Sequence, residues 1–225
     1  MVSASFISAA EAISQVTDGS TVALSGFGLA GQPLHLIDAL CDSGVSNLTI
    51  IANNAGNGET GLARLLSNKQ VAKILCSFPR QQDSQIFDEL YRLGKIELEL
   101  VPQGTLAERI RAQGAGIGAF YTPTGVGTQL ALGKEVRTIN GVDQVLEFAT
   151  EVDVALVHGH IADQQGNVVY RKTARNFGPI MASAARYSVI EVSRVVPTGE
   201  LDPESIVTPS IFVNAVVECG VNHGK

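Results

Sequence analysis

The amino-acid sequence predicts an α/β protein with a doubly wound, mostly parallel sheet, helices on both faces, and a C-terminal half richer in β structure. Three observations lead to this prediction. Short apolar runs alternate with helical patterns over residues 20–114. Several of these runs are continuously apolar, as expected for parallel strands covered on both faces. From Val136 onward, short β runs are separated by turn signals such as Asn140-Gly141.

Local signals place the individual elements. Ser8-Ala-Ala-Glu11 is a capping box that opens the first helix, and Thr105-Leu-Ala-Glu108 predicts the start of another. Pro33 stands at a first helical position, and Gly44 lies just past the end of that helix. The sequence predicts strands over 21–25, 48–52, 71–77, 96–101, 136–139, 144–148, 152–157, 188–192 and 211–217. It predicts further helices over 83–93, 105–114 and 177–186, and a long glycine-rich loop over 114–127.

Composition restricts the class of protein. A chain of 225 residues fits one large domain or two small ones, and we expect a single domain over residues 1–225. The net charge of −6 and the lack of a Lys/Arg cluster argue against nucleic acid. No apolar run approaches the ~18 residues that a membrane span needs. Three widely spaced cysteines and an N-terminus without a basic region lead us to expect reduced thiols and a cytoplasmic location.

The stretch from Thr21 to Pro33 combines a strand, a glycine turn and a helix start. Such an arrangement presents backbone N–H groups to an anion. Its spacing Gly26-x-Gly28-x-x-Gly31 matches the dinucleotide fingerprint. That fingerprint needs an acidic residue at the end of the second strand, where this chain has Asn53-Asn54. A dinucleotide, another anionic or phosphate-bearing ligand, and a purely structural turn all stay open.

Three amide side chains follow predicted parallel strands directly: Asn53, Asn54 and Gln103. In open α/β sheets, ligands bind beyond the carboxyl ends of the strands. A neutral amide there can donate a hydrogen bond to a carbonyl or an oxyanion without adding charge. The alternative is that these amides only hold their own loops in place, a task for which Asn is well suited.

A nucleophile is not evident in the sequence. There is no Gly-x-Ser-x-Gly motif, and Glu59 and Glu108 stand at helix starts, where a carboxylate usually interacts with the helix dipole. His158 and His160 would lie on one face of a strand. A zinc site would need a third ligand such as Asp163, so we expect a surface or interface pair and no metal.

A small basic group precedes a predicted helix. It consists of Arg171, Lys172 and Arg175. These side chains could meet a ligand phosphate or carboxylate, or could simply be solvated.

Five blocks of sequence, in order, closely resemble the alpha subunits of family I CoA-transferases. The resemblance covers about residues 6–217, and one departure is Ser25, where the family usually has glycine. The blocks are Asp18-Gly19 with Gly26-Phe27 and Gly31-x-Pro33; Asn53-Asn-Ala-Gly56; Pro102-Gln-Gly-Thr-Leu-Ala-Glu-Arg-Ile110; Gly114-Ala-Gly-Ile with Phe120-Tyr-Thr-Pro-Thr-Gly125; and Lys172-x-Ala-Arg-Asn-Phe177.

Within that family, the segment Cys76-Ser-Phe-Pro-Arg-Gln-Gln-Asp-Ser84 and the residues that follow it look most similar to members acting on succinyl-CoA and 3-oxoadipate. Relatives of the acetoacetate type differ in this segment. The alternatives are a CoA-transferase subunit for acetoacetate or another short acyl acid, and a sugar-phosphate isomerase-like enzyme, since such enzymes share a similar sheet.

The resemblance implies ping-pong transfer of CoA through a glutamate on a partner beta subunit, in an α2β2 assembly. The CoA thioester is a substrate, and no cofactor is permanently bound. The resemblance implies that Gln103 lines the oxyanion site and that Asn53 and Asn54 shape the acyl and CoA pocket. Other residues expected near this cleft are Gly26, Phe27, Gly28, Gly31 and Gly104. Relatives usually carry Lys where this chain has His158 and Ile161.

Overall fold

An eight-stranded sheet, with all its strands parallel, organises the computed structural model, which describes residues 4–80 and 83–220. In chain order the strands of the protein are β1 (Ser5–Phe6), β2 (Thr21–Leu24), β3 (Leu48–Ile51), β4 (Val71–Cys76), β5 (Glu97–Leu100), β6 (Ala119–Thr122), β7 (Val136–Ile139), β8 (Val142–Phe148), β9 (Val152–His158), β10 (Ile161–Asp163), β11 (Val168–Val169), β12 (Ala185–Val192), β13 (Arg194–Val196) and β14 (Ala215–Glu218). The order in the large sheet is β1-β14-β12-β9-β2-β3-β4-β5. The predicted α/β class with a parallel sheet is confirmed.

Six helices cover the two faces of this sheet. They are α1 (Ala9–Ile13), α2 (Leu34–Ser43), α3 (Leu62–Ser67), α4 (Gln85–Arg92), α5 (Gln103–Gly114) and α6 (Gly178–Ala184). Helices α1 to α4 pack their apolar residues on one face, in a core that includes Leu36, Leu65 and Phe87. Helices α5 and α6 cover the other face through Leu106, Met181 and their neighbours. The sheet is therefore doubly wound, as predicted.

The C-terminal half is richer in strands, as predicted, but it does more than form a separate β region. Strands β9, β12 and β14 extend the large parallel sheet beyond β2. The remaining strands form two three-stranded sheets, β6-β8-β7 and β11-β10-β13. No helix in the described ranges has the length and apolarity needed to cross a membrane.

The helix signals at Ser8 and Gly44 are confirmed. The Glu11 N–H donates to Ser8 Oγ at 3.2 Å and the Ser8 N–H donates to Glu11 Oε2 at 2.9 Å, which is a complete capping box. These hydrogen bonds hold the pKa of Glu11 below its ordinary value. Gly44 ends α2 in the left-handed conformation, with φ of 73°.

Several predicted boundaries were wrong. Helix α5 begins at Gln103 after Pro102, so Thr105 lies inside the helix; its buried hydroxyl has no hydrogen-bond partner and caps nothing. The predicted loop 114–127 contains β6, because that segment pairs with β8. Helix α6 ends at Ala184, and Arg186 belongs to β12.

At the C-terminal end, residues 210–212 form a short 3-10 turn instead of the start of the last strand, which runs over Ala215–Glu218. Gln81 and Gln82 of the Cys76–Ser84 segment lie outside the described residues.

Candidate functional site

The direction of the chain reverses at the boundary between β2 and β9. From β2, successive strands are added in one direction as β3, β4 and β5; from β9 they are added in the other direction as β12 and β14. Such a topological switch point opens a crevice at the carboxyl ends of the strands, where ligands bind in open α/β sheets. The glycine stretch follows β2 directly, and His158 ends β9, so both lie at this crevice.

The glycine stretch folds back on itself as a tight turn. The Phe27 N–H donates to the Ala30 carbonyl at 3.0 Å and the Ala30 N–H donates to the Phe27 carbonyl at 3.2 Å. Gly28 stands at the tip with φ of +60°, and no atom lies within 4 Å of the position that a Cβ would take. The Phe27 ring is half exposed beside it. The tip of the loop therefore presents backbone and an apolar ring to a ligand or a partner.

Gly31 is required by close packing as well as by its φ of +75°. A Cβ at this position would stand 2.4 Å from the carbonyl oxygen of Ala174 and 2.8 Å from Nδ2 of Asn176. At Gly26, with φ of +132°, a Cβ would stand 2.8 Å from Cγ of Gln32. Two of the predicted glycines thus allow a close approach between segments.

Asn176 fastens this loop, and the sequence reasoning assigned it no role. Its Oδ1 accepts from the Gly26 N–H at 3.0 Å, and its Nδ2 donates to the Ala30 carbonyl at 3.0 Å. One side chain thus holds both ends of the turn. Its place in the Lys172–Phe177 block, beside two other family blocks, was the signal that could have identified it.

Ser25, the departure from the family pattern, ties the same loop to β9. Its hydroxyl donates to the Gly31 carbonyl at 2.7 Å and accepts from the His158 N–H at 3.0 Å. A glycine could make neither bond. Serine therefore adds two tethers at the switch point.

The N-terminus of α2 is already taken by a carboxylate. Glu191, which is 2% exposed, accepts from the Leu36 N–H at 3.1 Å, and its other oxygen lies 3.0 Å from Nδ1 of His158. In dinucleotide-binding proteins the pyrophosphate sits at this helix N-terminus. A buried carboxylate there repels a phosphate, so the Gly-x-Gly-x-x-Gly spacing does not indicate a dinucleotide in this chain. Glu191 was not identified from the sequence.

The predicted amides come together on the other side of the loop. Gln103 Nε2 donates to Asn53 Oδ1 at 2.7 Å, and Ser77 Oγ donates to the same oxygen at 2.9 Å. Because two donors hold Asn53 Oδ1, the Asn53 amide is fixed with its NH2 group pointing away from them. Gln103 itself is exposed, at the start of α5. We call Asn53, Asn54, Ser77 and Gln103 the amide cluster.

Asn54 has a buried donor without a protein partner. Its Nδ2 is enclosed and makes no hydrogen bond within the described residues. The side chain lines a cavity of about 10 Å³ together with Ser25, Gly26 and Asn53. That volume is near the smallest that holds one water molecule. An uncompensated buried donor at this place favours a site that binds an oxygen atom.

A larger cavity, of about 700 Å³, opens on the β9 and β12 side of the glycine loop. We call it the basic pocket. Its lining residues with charge or titratable side chains are Arg171, Lys172, Arg194, His158, His160 and Glu191, and Ala30 of the glycine loop borders it. The two histidines therefore face the same cavity, as predicted, and Arg194 is the cation that the sequence reasoning missed.

The other candidates lie apart from these two clusters. Gly104 is exposed in the first turn of α5 and touches neither cluster. Glu108 pairs with Arg111 at 2.8 Å on the surface of that helix. Arg175 does not line the basic pocket. Within residues 4–80 and 83–220 no group of three His, Cys, Asp or Glu side chains could hold a metal ion.

The three cysteines are free thiols. Burial raises the pKa of Cys76 to about 12 and that of Cys41 to about 11. Burial, followed by the charge of Glu191, raises the pKa of Cys219 to about 11. A thiol acts as a nucleophile only when ionised, so these cysteines are inert at neutral pH.

The fold and the site define an α/β protein that binds an anionic ligand at the carboxyl edge of its sheet, using backbone, amides and cations. Residues 6–219 match the family model described as coenzyme A transferase, and the chain belongs to that family. The resemblance found in the sequence is therefore confirmed.

The relatives narrow this further. The chain is 59% identical over 217 residues to one of the subunits of 3-oxoadipate CoA-transferase from Pseudomonas putida, covering 96% of this chain and 94% of that protein. It is 58% identical over 217 residues to a protein of the same name from Acinetobacter baylyi, with 96% and 95% covered.

A crystal structure of an acyl-CoA transferase apoenzyme from Escherichia coli O157:H7 superposes with a TM-score of 0.83 at 21% identity, covering 96% of this chain. The chain spans about half of that longer protein, 47% of its length. At this identity the superposition shows a shared fold.

Proposed function

We propose that this chain is the alpha subunit of a CoA-transferase that moves CoA from succinyl-CoA to 3-oxoadipate, and that it works as one domain. Two relatives near 60% identity are each named as one of the subunits of 3-oxoadipate CoA-transferase. The reaction is nucleophilic catalysis, which divides one difficult acyl transfer into easier steps.

The steps balance as follows. A carboxylate attacks the succinyl thioester carbonyl, and the CoA thiolate leaves; an acyl anhydride results. The thiolate then attacks the enzyme-derived carbonyl of that anhydride, which releases succinate and leaves an enzyme thioester. The carboxylate of 3-oxoadipate attacks this thioester, the thiolate leaves again, and its return to the 3-oxoacyl carbonyl frees the enzyme carboxylate.

The observation that carries the proposal is the absence of a free carboxylate at the switch point among the described residues. The amide cluster holds only neutral side chains, and Glu191 is fixed by His158 and the start of α2. A carboxylate already bound on both oxygens is a poor nucleophile. The attacking glutamate is therefore proposed to come from a beta subunit.

Exposed apolar side chains support a partner at this edge. Phe27 and Leu29 on the glycine loop are 51% and 76% exposed, and Phe78, just after β4, is 57% exposed. Large apolar side chains grouped around a cleft are typical of an interface. A partner seated here would cover them and would bring its glutamate to the amide cluster.

In this site Gln103 and Asn53 are proposed to donate to the oxyanion that forms at each acyl transfer. Gln103 Nε2 has a second hydrogen beyond the one that it gives to Asn53, and the Asn53 amide hydrogens point away from its two donors. Asn54, with its unpartnered Nδ2, is proposed to contact the acyl group. The glycine loop would form the opposite wall.

The proposal is tested by co-expressing the chain with the protein of similar size whose reading frame lies beside it and which carries a Ser-Glu-Asn-Gly-like motif. The complex should convert succinyl-CoA and 3-oxoadipate to succinate and 3-oxoadipyl-CoA, and either protein on its own should be inactive. Borohydride should trap the enzyme thioester on the partner. Full activity of this chain alone would contradict the proposal.

A further inference from the structure

The basic pocket contains cations that no protein acid neutralises. Among the described residues, the side chains of Arg171, Lys172 and Arg194 form no ion pair and no hydrogen bond. The chain as a whole carries a net charge of −6, so this local excess of positive charge runs against the balance of the protein. Like charges gathered without a counter-ion repel one another, and a bound anion relieves that repulsion.

The single acid in the pocket does not supply the missing charge to these residues. Glu191 lies buried at the floor, where both its oxygens are engaged, one by the Leu36 N–H and one by Nδ1 of His158. The pKa of His160 responds to the surroundings: burial, then the charges of Arg171 and Arg194, and then His158 lower it. The wall of the pocket is therefore effectively positive.

The backbone at the pocket is strained. Lys172 has a φ of +50°, in the left-handed region that non-glycine residues seldom adopt. Such strain costs on the order of 1–3 kcal/mol and collects at ligand-binding sites. The same turn continues to Asn176, which fastens the glycine loop. The strained turn thus places a lysine in the pocket while it holds the catalytic loop.

We propose that the basic pocket binds the distal carboxylate of a dicarboxylic acyl substrate and so selects diacids over monoacids. This inference rests on the proposed function, in which both acids, succinate and 3-oxoadipate, carry a second carboxylate. Two of the pocket's cations, Lys172 and Arg194, are the specificity-determining residues. A monocarboxylic 3-oxo acid of the same length would leave them unpaired, and a site built for a polar group discriminates strongly against a ligand without it.

The dimensions agree. Neighbouring strands lie about 4.8 Å apart, so the end of β9 is about 5 Å from the glycine loop after β2 and about 10 Å from Asn53 after β3. The two carboxyl carbons of a four- to six-carbon diacid are separated by roughly 4–7 Å, given carbon–carbon bonds of about 1.5 Å. A diacid that reacts beside the glycine loop therefore reaches the pocket with its other end.

The first test compares two acceptors that differ only at the distal end, 3-oxoadipate and its methyl counterpart 3-oxohexanoate, in the assembled enzyme. Lys172→Gln and Arg194→Gln should each lower kcat/KM for 3-oxoadipate by roughly 10- to 100-fold, the range for one hydrogen bond to a charged group. Turnover of 3-oxohexanoate should change less than about 3-fold. Equal losses for both acceptors, or no loss, would overturn the inference.

Arg186→Gln is the matched control. Arg186 lies at the other end of β12 and forms a surface pair with Glu151 at 3.1 Å. The substitution removes the same charge from the same strand but not from the pocket, so both acceptors should react as in the unmodified enzyme. Selective loss of 3-oxoadipate activity in this variant would mean that net charge and not the pocket sets the preference.

A binding measurement separates this inference from the proposed function. By calorimetry the assembled enzyme should bind adipate at least 10-fold more tightly than hexanoate, and Lys172→Gln should abolish that difference. If the difference is found while 3-oxoadipate is not a substrate, the pocket is upheld and the proposed function fails. If 3-oxoadipate reacts but adipate has no advantage, the pocket assignment fails alone.

The phosphates of CoA are the other source of anions. Succinyl-CoA and its dephospho analogue therefore form the last comparison. If Lys172→Gln and Arg194→Gln erase the preference for intact succinyl-CoA and keep the preference for diacids, the pocket binds a nucleotide phosphate and the dicarboxylate assignment is overturned. Unchanged preference for intact succinyl-CoA supports the assignment.

Discussion

Two groups of charged residues in this protein differ in whether the cations have partners. On the sheet face near β8, Arg109 pairs with Glu99 at 2.7 Å and with Glu147, and Lys134 pairs with Glu147 at 2.7 Å. Lys73 completes this network through Glu99, at 3.0 Å. In the basic pocket, by contrast, the cations have no protein acid among the described residues as a partner.

The difference separates structural charges from binding charges. A buried cation costs several kcal/mol unless it is paired, so the network near β8 supplies a carboxylate for each of its cations. The basic pocket is open to solvent and leaves its cations for an anion from outside. Substitutions in the network should therefore change stability and not chemistry, and substitutions at the carboxyl edge should do the reverse.

The largest expected effect comes from Glu147→Ala. Glu147 is 3% exposed and holds both Arg109 and Lys134. Its removal leaves the Arg109 charge buried without its main partner, which typically costs about 3–5 kcal/mol. Urea denaturation should show this loss in the free energy of unfolding, while kcat at a temperature where the variant stays folded should change little.

Glu151→Ala serves as the control, because Glu151 is exposed and its pair with Arg186 lies in solvent. Such a pair is worth about 0–1 kcal/mol. Replacing Arg109 and Glu147 together by Met should recover much of the stability lost in Glu147→Ala. A Glu147→Ala variant as stable as Glu151→Ala would show that the network does not hold this face together.

At the carboxyl edge, Gln103→Ala should lower kcat of the assembled enzyme roughly 10²-fold, the order expected for one lost oxyanion donor. Gln103 is exposed, so the free energy of unfolding should change little. Gln113→Ala, at the far end of the same helix α5, is the matched control and should leave kcat unchanged. Normal turnover in Gln103→Ala would remove Gln103 from the site.

Much of this edge could be predicted from the sequence, because strand ends can be read from local patterns. The positions of Asn53 and Gln103 after apolar runs predicted that they would meet, and they do so at 2.7 Å. The glycine loop was equally visible. What these residues share is a placement fixed by the parallel sheet itself.

Residues that depend on contacts between distant segments could not be predicted. Glu191 reaches Leu36 across 155 positions and Asn176 reaches Gly26 across 150 positions, and neither has a local signature. The Thr105 capping box was wrong for the opposite reason: the local pattern was present, but Pro102 started the helix earlier. The pairing of β6 with β8 likewise depends on tertiary context.

Two glycines on the same loop sharpen the division between exposed tip and packed base. Gly31→Ala and Gly28→Ala both place a Cβ at positive φ, which costs about 1–2 kcal/mol in either case. Only the Gly31 variant also drives the Cβ into Ala174 and Asn176. We therefore expect Gly31→Ala to be less stable than Gly28→Ala by about 1–3 kcal/mol, the typical cost of overpacking.

Urea denaturation of the two variants measures that difference, and kcat of the assembled enzymes shows whether the packed base positions the site. Equal stabilities would mean that the turn 172–176 yields to a methyl group, and the loop would then not be rigidly fastened.

The smallest effect concerns the pH dependence of the paired network. Burial raises the pKa of Glu99, but hydrogen bonds from Arg109 and Lys73 outweigh it and hold that pKa below its ordinary value. Because the folded-state pKa lies below that of the unfolded chain, the unfolded chain binds more protons at acidic pH. The stabilisation is therefore complete above the ordinary carboxylate pKa and is lost as pH falls through the folded-state value.

Urea midpoints measured from pH 7 down to pH 3 should accordingly fall less steeply for Glu99→Gln than for the unmodified chain, since glutamine cannot take up the proton. Glu97→Gln is the matched control, because Glu97 pairs with the same Lys73 at 2.9 Å from a position 67% exposed, where solvent screens the pair. Its midpoints should follow the unmodified chain more closely. Identical pH curves for all three proteins would mean that Glu99 gains nothing from its two cations. The paired network would then be no more structural than the open pocket to which it is compared.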